Sequence, residues 1–416
     1  MRRGKYDRLR YQLGGALLLA AVIPFLLRVL AIDSAAQMVP VTQAFYGTVL
    51  AIVIGYALFH NVSAYPGVEK AAYVLPAFSL SFATLMLIFF MTRLEYNRIM
   101  IFSGYTLSVI WFLVMHSRRQ RQNVLRVGIL PFGMRLEADH IPGVEWVLLS
   151  DPTTPVAGLD AVAADLRTDL PSEWDRRLAD FALAGLPVYH TKHLVESLSG
   201  RVELEHLSEN SFGSLAPISA WMSVKNVLDW IAAALAAILL APFLLIIGIA
   251  IRMTSPGPAL FRQQRIGYKG EPFTVYKFRT MVAVRDVTCE RNEAMTRPDD
   301  VRIAPLGRFL RRSRIDELPQ IINILRGEIS WIGPRPEAQI LSRWYEEELP
   351  FYRYRHIVKP GITGWAQVCQ GHVTDLDDVR SKLHYDFYYI KHYSPWIDML
   401  IVVRTVRTML TGFGSR

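Results

Sequence analysis

The sequence predicts a membrane protein in three parts: four N-terminal transmembrane helices, an α/β Rossmann-like domain, and a mainly helical C-terminal domain that opens with a re-entrant membrane helix. Three observations predict it. Apolar runs of near-membrane length fill residues 1–120. Short β-like runs alternate with a helical pattern over 121–207. A longer apolar segment with a proline at its middle, Val224–Met253, follows a polar linker at 208–223. Composition agrees. Hydrophobic residues make up 51% of the 416, yet 20% are charged, as expected where membrane segments join soluble domains.

The apolar runs are Leu13–Ala31, Met38–Phe59, Ala72–Met91 and Met100–Met115. Each approaches the roughly 20 residues a helix needs to cross a bilayer. A cleaved signal peptide is disfavoured by the length of the first run and by the three that follow it. Arg2, Arg3, Lys5, Arg8 and Arg10 precede the first run, and His116-Ser-Arg-Arg-Gln-Arg121 follows the last. Both clusters belong on the cytoplasmic side by the positive-inside rule, and an even number of crossings puts them there together.

Val124–Leu130, Val144–Leu149, Val162–Leu166 and Val188–His190 read as buried strands, with an amphipathic helix at Glu173–Leu183. Strands alternating with helical segments predict a mostly parallel sheet. The first turn, Gly128-Ile-Leu-Pro-Phe-Gly133, lacks the Gly-x-Gly-x-x-Gly pattern, and Pro131 stands where a phosphate-binding helix would begin. A spacer or assembly role is the expectation for this domain. A nucleotide-dependent oxidoreductase is disfavoured.

The segment Val224–Met253 is long enough to cross the membrane. A crossing would put the Arg-rich region that follows outside the cell. Pro242 removes a backbone hydrogen bond at its centre, so a helix that enters, turns there and leaves on the same side is expected. A kinked crossing is the alternative. At the other end, Trp396–Thr411 reads either as an interfacial helix or as a packed core helix.

The formal net charge of +9 comes without a nucleic-acid-binding signature, so the partners expected are membrane lipid and phosphorylated substrates, not nucleic acid. The two cysteines, Cys289 and Cys369, have no zinc spacing. Candidate chemistry gathers between Ser255 and Gln367. Arg262 and Arg265 follow the Ser255-Pro-Gly-Pro258 turn. Lys277 and Arg279 would share one face if the strand at Pro272–Tyr276 continues, and two cations on one face suit a diphosphate. In Arg311-Arg-Ser-Arg-Ile-Asp-Glu-Leu-Pro-Gln320, Pro319 marks the start of a helix. Asp316 and Glu317 could simply cap that helix. Their arginine neighbours favour chemistry instead: a carboxylate among cations stays ionised and can attack phosphorus. The adjacent Glu317 can hold a divalent metal, for which Mg²⁺ fits. Arg335, fixed between the prolines of Gly333-Pro-Arg-Pro336, suits bidentate phosphate recognition. Trp365 in the Lys359-Pro-Gly-Ile-Thr-Gly-Trp-Ala-Gln-Val368 turn could touch lipid or be core.

In order and spacing, Lys225, Asp229, Ser255-Pro-Gly-Pro258, Phe261-Arg-Gln263, Lys277-Phe-Arg-Thr-Met281, Asp316-Glu-Leu-Pro-Gln320, Gly333-Pro-Arg-Pro336 and Pro360-Gly-Ile-Thr-Gly-Trp-Ala-Gln367 resemble the monotopic phosphoglycosyltransferases, or bacterial sugar transferases. The helices and α/β domain ahead of them resemble the large members, typified by undecaprenyl-phosphate glucose or galactose phosphotransferases. The resemblance makes 224–416 the catalytic domain. It implies that Asp316 attacks the sugar-linked phosphate of a UDP-sugar, releasing UMP, and that polyprenyl phosphate then displaces the aspartate. Glu317 would help bind Mg²⁺; Lys277, Arg311 and Arg335 would bind phosphates. Exopolysaccharide or O-antigen assembly at the bacterial inner membrane is the implied setting, with the catalytic domain facing the cytoplasm. The chain departs from the family at Cys369-Gln-Gly-His372, where many members continue Asn-Gly-Arg. A catalytically silent scaffold is the alternative, disfavoured by the intact Asp-Glu pair. The N-terminal half offers surface for a homodimer.

Overall fold

The computed structural model describes residues 9–32, 37–61, 71–120, 124–132, 141–202, 219–254, 256–281, 305–371 and 375–411. Residues 208–218 of the polar linker, Cys289, Ser255 and His372 lie outside them. Two units emerge, residues 1–200 and 201–416.

In the first unit, four apolar helices stand where the hydropathy pattern places them: α1 (Leu9–Leu30), α2 (Met38–Asn61), α3 (Ala71–Thr92) and α4 (Arg98–Gln120). α1 widens into a π turn over Leu18–Val22, where the Ile23 N–H reaches back to the Leu18 carbonyl. Pro24 explains this turn. It has no N–H for the preceding ladder and its ring crowds the carbonyl four residues back.

The predicted strands follow as β1 (Leu125–Ile129), β2 (Val144–Leu148), β3 (Ala161–Ala164) and β4 (Val188–His190). They form one parallel sheet in the order β2-β1-β3-β4. α5 (Ser172–Leu183) covers one face, setting Trp174, Leu178 and Phe181 on Val162 and Ala164. α6 (Thr191–Ser199) covers the other through Leu194 on Val127 and Ala163. Gly128 sits inside β1, where a Cβ would meet Leu149 and Leu159 within 2.9 Å, so it is a packing glycine.

The second unit opens with α7 (Ser219–Thr254), five residues longer at its start than the apolar run. It remains one helix through Pro242. One stripe of α7 packs against the rest of the unit on both sides of Pro242. Ala233, Ala236, Ala237 and Leu240 lie on Phe273, Val275, Ile321 and Ile324. Leu244, Ile247 and Ile251 lie on Phe278, Leu306 and Leu310. The opposite face leaves Leu235, Ile238, Leu239, Leu245, Ile246 and Ile249 exposed.

Two short sheets complete a domain less purely helical than predicted. β5 (Leu260–Ile266) pairs antiparallel with β6 (Pro272–Phe278), and β7 (Ser330–Ile332) pairs parallel with β8 (Gly361–Thr363). Around them lie α8 (Pro305–Arg312), α9 (Ile321–Leu325), α10 (Gln339–Glu348), α11 (Trp365–Cys369), α12 (Leu376–Lys391) and α13 (Pro395–Thr411). α13 packs as core on one face, with Ile397, Leu400 and Ile401 buried, and leaves Val402, Val406 and Met409 exposed on the other. Lys225 ties α7 to the body through Asp398 at 3.1 Å and pairs along the helix with Asp229, one turn on, at 3.8 Å. Asp229 also accepts from the Ser330 hydroxyl at 2.6 Å, and Tyr389 donates to Asp398 at 2.9 Å.

Candidate active site

Asp316 and Glu317 lie in a 3₁₀ turn, Ile315–Gln320, that runs directly into α9. Arg314, just before the turn, is held in the left-handed region at φ 58°, a conformation costing a non-glycine residue roughly 1–2 kcal/mol. The turn is fastened to β6 by Asn323. Its amide oxygen accepts from the Tyr276 N–H at 3.2 Å and its nitrogen donates to the Thr274 carbonyl at 2.6 Å. Lys277, one residue on, is thereby set against the acidic pair.

The Glu317 carboxylate, 6% exposed, is gripped by two cations. Oε1 accepts from Lys277 Nζ at 2.9 Å and from Arg335 Nη2 at 2.5 Å; Oε2 accepts from Arg335 Nη1 at 3.4 Å. Burial opposes its ionisation, but Arg335 and Lys277 outweigh burial and hold it well below the usual carboxylate range. Asp316 differs. Its Oδ1 is buried without a hydrogen-bond partner. Burial, then the charge of Glu317, push it up to about 6 against the pull of Lys277, Arg335 and Arg311. Burial also pushes the Lys277 ammonium down to about 8. The cations that were expected to keep Asp316 acidic are therefore spent mainly on Glu317. Asp316 is left as a nearly desolvated carboxylate that is still mostly ionised at neutral pH.

Arg335 is presented by its loop as predicted. The loop is held at its backbone: Gly333 N–H donates to the Thr363 carbonyl at 2.9 Å and Gly361 N–H to the Pro334 carbonyl at 3.0 Å. A Cβ at Gly333 would lie 2.3 Å from the Lys359 carbonyl oxygen, so only glycine permits this approach. Behind the loop, Arg355 donates to the Arg335 carbonyl at 2.9 Å and pairs with Asp386 at 2.8 Å, both groups buried.

Three candidates stand elsewhere or at the margin. Arg311 donates to the Thr280 hydroxyl at 2.9 Å while its charge still reaches Asp316. Arg279 does not join Lys277, because β6 ends at Phe278 and the Arg279 guanidinium turns back to the Pro256 carbonyl at 2.8 Å. Arg262 lies on the other face of the hairpin, over the Tyr276 ring. The cation on the site's face is Arg265. It donates to the Pro336 carbonyl and to Gln263, and burial pushes it down to about 10. Strand register would have found it: Phe261 opposes Lys277 and Arg265 opposes Phe273, so Arg265 and Lys277 share a face that Arg262 does not. A second missed pair is buried nearby, Glu337 with Lys382, and the charges of Lys382 and Arg355 bring Glu337 down to about 2 against its burial. Trp365 is core, stacked on Tyr388 and covered by the Arg404 guanidinium 4.5 Å from its ring centroid.

Among the described residues, no three His, Cys, Asp or Glu side chains converge on a metal position. A dication would depend on the acidic pair and on substrate phosphates.

The profile of the bacterial sugar transferase family matches residues 220–412, which hold this whole site. A UDP-N-acetylgalactosamine-undecaprenyl-phosphate N-acetylgalactosaminephosphotransferase from Aeromonas hydrophila is 41% identical over 375 residues, 89% of this chain and 87% of that protein. The chain belongs to the bacterial sugar transferase family. Like its relatives it is a transferase, and a large member, since the match to the Aeromonas protein extends well beyond the family segment. UDP-glucose:undecaprenyl-phosphate glucose-1-phosphate transferases from Caulobacter vibrioides and Escherichia coli are also similar. The first is 44% identical over 45% of this chain and 70% of the relative; the second is 40% identical over 44% and 39%.

Proposed function

We propose that this transferase moves a sugar-1-phosphate from a UDP-sugar to polyprenyl (undecaprenyl) phosphate through a covalent intermediate on Asp316. The observation that carries this is the Asp316 carboxylate: buried, with an oxygen free of hydrogen bonds, and ringed by Lys277, Arg311 and Arg335. Its oxygen would attack the sugar-bearing phosphorus of the UDP-sugar. The bond from that phosphorus to the bridging oxygen breaks and UMP leaves. A phosphate oxygen of the polyprenyl phosphate would then attack the same phosphorus, and the bond to Asp316 breaks. The products are UMP and a polyprenyl diphosphate sugar. Desolvation suits the first step, because a carboxylate stripped of water is the stronger nucleophile. Arg335, Arg265 and Lys277 supply fixed positive charge for the transferred phosphoryl oxygens. Glu317 keeps two of those cations in place.

Magnesium fits this arrangement as one more partner. Asp316 Oδ1 has no hydrogen bond and Glu317 Oε2 has only a long one, and Mg²⁺ takes one or two carboxylates plus substrate phosphates. Bound there, it would neutralise the diphosphate.

The domain is read as facing the cytoplasm at the bacterial inner membrane. Both halves of α7 pack on the same body, which supports a helix whose two ends stay on one side of the bilayer with its outer apolar face embedded. The re-entrant character then comes from packing on both sides of Pro242. A cysteine placed at Gly267 and labelled from the periplasm would refute that seating.

The direct test of the reaction is UMP release with polyprenyl phosphate and Mg²⁺ across a panel of UDP-sugars. UDP-N-acetylgalactosamine comes first, as the sugar in the name of the Aeromonas relative. Asp316→Asn should abolish release and Glu317→Gln should cut it severely. Full activity in Asp316→Asn removes the mechanism. No release from any UDP-sugar favours the scaffold role. Products entering exopolysaccharide or O-antigen assembly are the expected fate.

A further inference from the structure

Beside the first turns of α7 the second unit contains a cavity of about 310 Å³ that shares no residue with the Asp316 cluster. Its walls are Val227 and Trp230 of α7, with Ile324 and Ile329 closing it toward Phe273 and Val275 of the core. Its polar groups are Lys359, Asn226 and Asp229. The size lies at the lower end of the range for small-ligand sites, and the make-up, apolar walls with few polar groups, is typical of them.

We propose that this cavity holds the phosphate headgroup of an anionic glycerophospholipid, with Lys359 as its cation and the acyl chains leaving along the outer face of α7. Four observations support the assignment. First, the half-buried Lys359 ammonium makes no hydrogen bond or ion pair with any described residue, and burial lowers its pKa against the through-space pull of Asp229. A partly desolvated cation with no anion in contact is stabilised by binding one. Second, Asp229, the carboxylate that shares the cavity, acts on Lys359 only through space, since its contacts are with Ser330 and Lys225. Third, one wall is α7 itself, whose exposed face continues from Val227 and Trp230 into Leu228 and Ile231, 46–59% exposed. A ligand with an apolar tail is therefore favoured over a soluble phosphate. Fourth, Trp230 at the polar start of an apolar helix is placed as interfacial tryptophans are, at headgroup depth. The assignment rests on the membrane seating of α7 proposed above.

The test is native mass spectrometry of the full chain, delipidated and then offered phosphatidylglycerol or phosphatidylcholine. Wild type should retain one phosphatidylglycerol in preference to phosphatidylcholine. Lys359→Gln should lose that preference at least tenfold, and Arg308→Gln, an exposed arginine outside the cavity, should keep it. In lipid-free detergent Lys359→Gln should melt at or above the wild-type temperature, because no pair is broken. Equal phosphatidylglycerol retention by Lys359→Gln overturns the proposal, and so does a lower melting temperature, which would make Lys359 structural. Displacement of the bound lipid by millimolar inorganic phosphate, or by polyprenyl phosphate at equal concentration, also overturns it, naming a free anion or the acceptor substrate as the ligand. UMP release by wild type in phosphatidylglycerol nanodiscs is scored separately. Its absence beside intact lipid selectivity would sink the transfer reaction and leave this site standing.

Discussion

Replacing Asp316 with asparagine should make the protein more stable while destroying its activity. The folded structure pushes the Asp316 carboxyl from 3.8 up to about 6, through burial first and the neighbouring Glu317 charge second. A shift of about 2 units corresponds to about 3 kcal/mol. The sign follows from linkage. A carboxyl whose folded pKa is raised binds more protons folded than unfolded, so stability falls as pH rises from about 4 through about 6. Above pH 7 the full cost of the buried charge is present; below pH 4 none is. Asparagine does not titrate. The difference between Asp316→Asn and wild type should therefore be near zero at pH 4 and reach about 3 kcal/mol in favour of the variant at pH 8. For a domain of about 200 residues that is a rise of roughly 6–12 °C in the melting temperature. The assay is a pair of melting curves at each pH in one detergent, beside UMP release. A variant less stable than wild type at pH 8, or offset by the same amount at every pH, would refute the assignment of Asp316 as a desolvated, destabilising carboxylate.

Glu317→Gln should act in the opposite sense, since it leaves Lys277 and Arg335 buried without their shared anion. Breaking such a pair costs about 3–5 kcal/mol, visible as a lower melting temperature at pH 7 together with slower UMP release. The rate of UMP release should follow a bell against pH. It falls below about pH 6 as Asp316 takes up a proton and falls above about pH 8 as Lys277 loses one; a flat profile between pH 5 and 9 contradicts both assignments. Arg265→Gln should lower kcat/KM for the UDP-sugar at least tenfold, about 1.4 kcal/mol, whereas Arg262→Gln on the opposite face should stay within about twofold. Equal losses in the two variants would mean that the face of the hairpin does not matter.

The apolar helices and the sheet were legible because run length and alternation of apolar residues report burial directly. Each of β1 to β4 falls within two residues of its sequence prediction. α6 was not predicted: its cap is His190, whose ring accepts the Lys192 N–H, in place of the Ser, Thr, Asn or Asp that marks a helix start. The site was legible as a set of motifs, and Asp316, Glu317, Lys277 and Arg335 do converge. Which arginine served was not legible, because that depends on strand register and on where β6 ends. Arg279 is lost to the site by one residue of strand length, and Arg265 is gained by the pairing of β5 with β6. The path of α7 was not legible for a related reason. A proline in a helix names a weak point, but packing on both sides of it decides whether the chain turns.

The contact between Gly333 and Gly361 sets where this enzyme can vary. It joins two loops backbone to backbone, with no side chain between them to trade for another. Arg335 hangs from one loop, and the other leads into α11. A substitution in either glycine displaces both loops at once, so the half of the site that carries Arg335 cannot be retuned in small steps. A change of donor sugar would have to come from side chains outside this seam, and libraries aimed at sugar preference should leave 333 and 361 untouched.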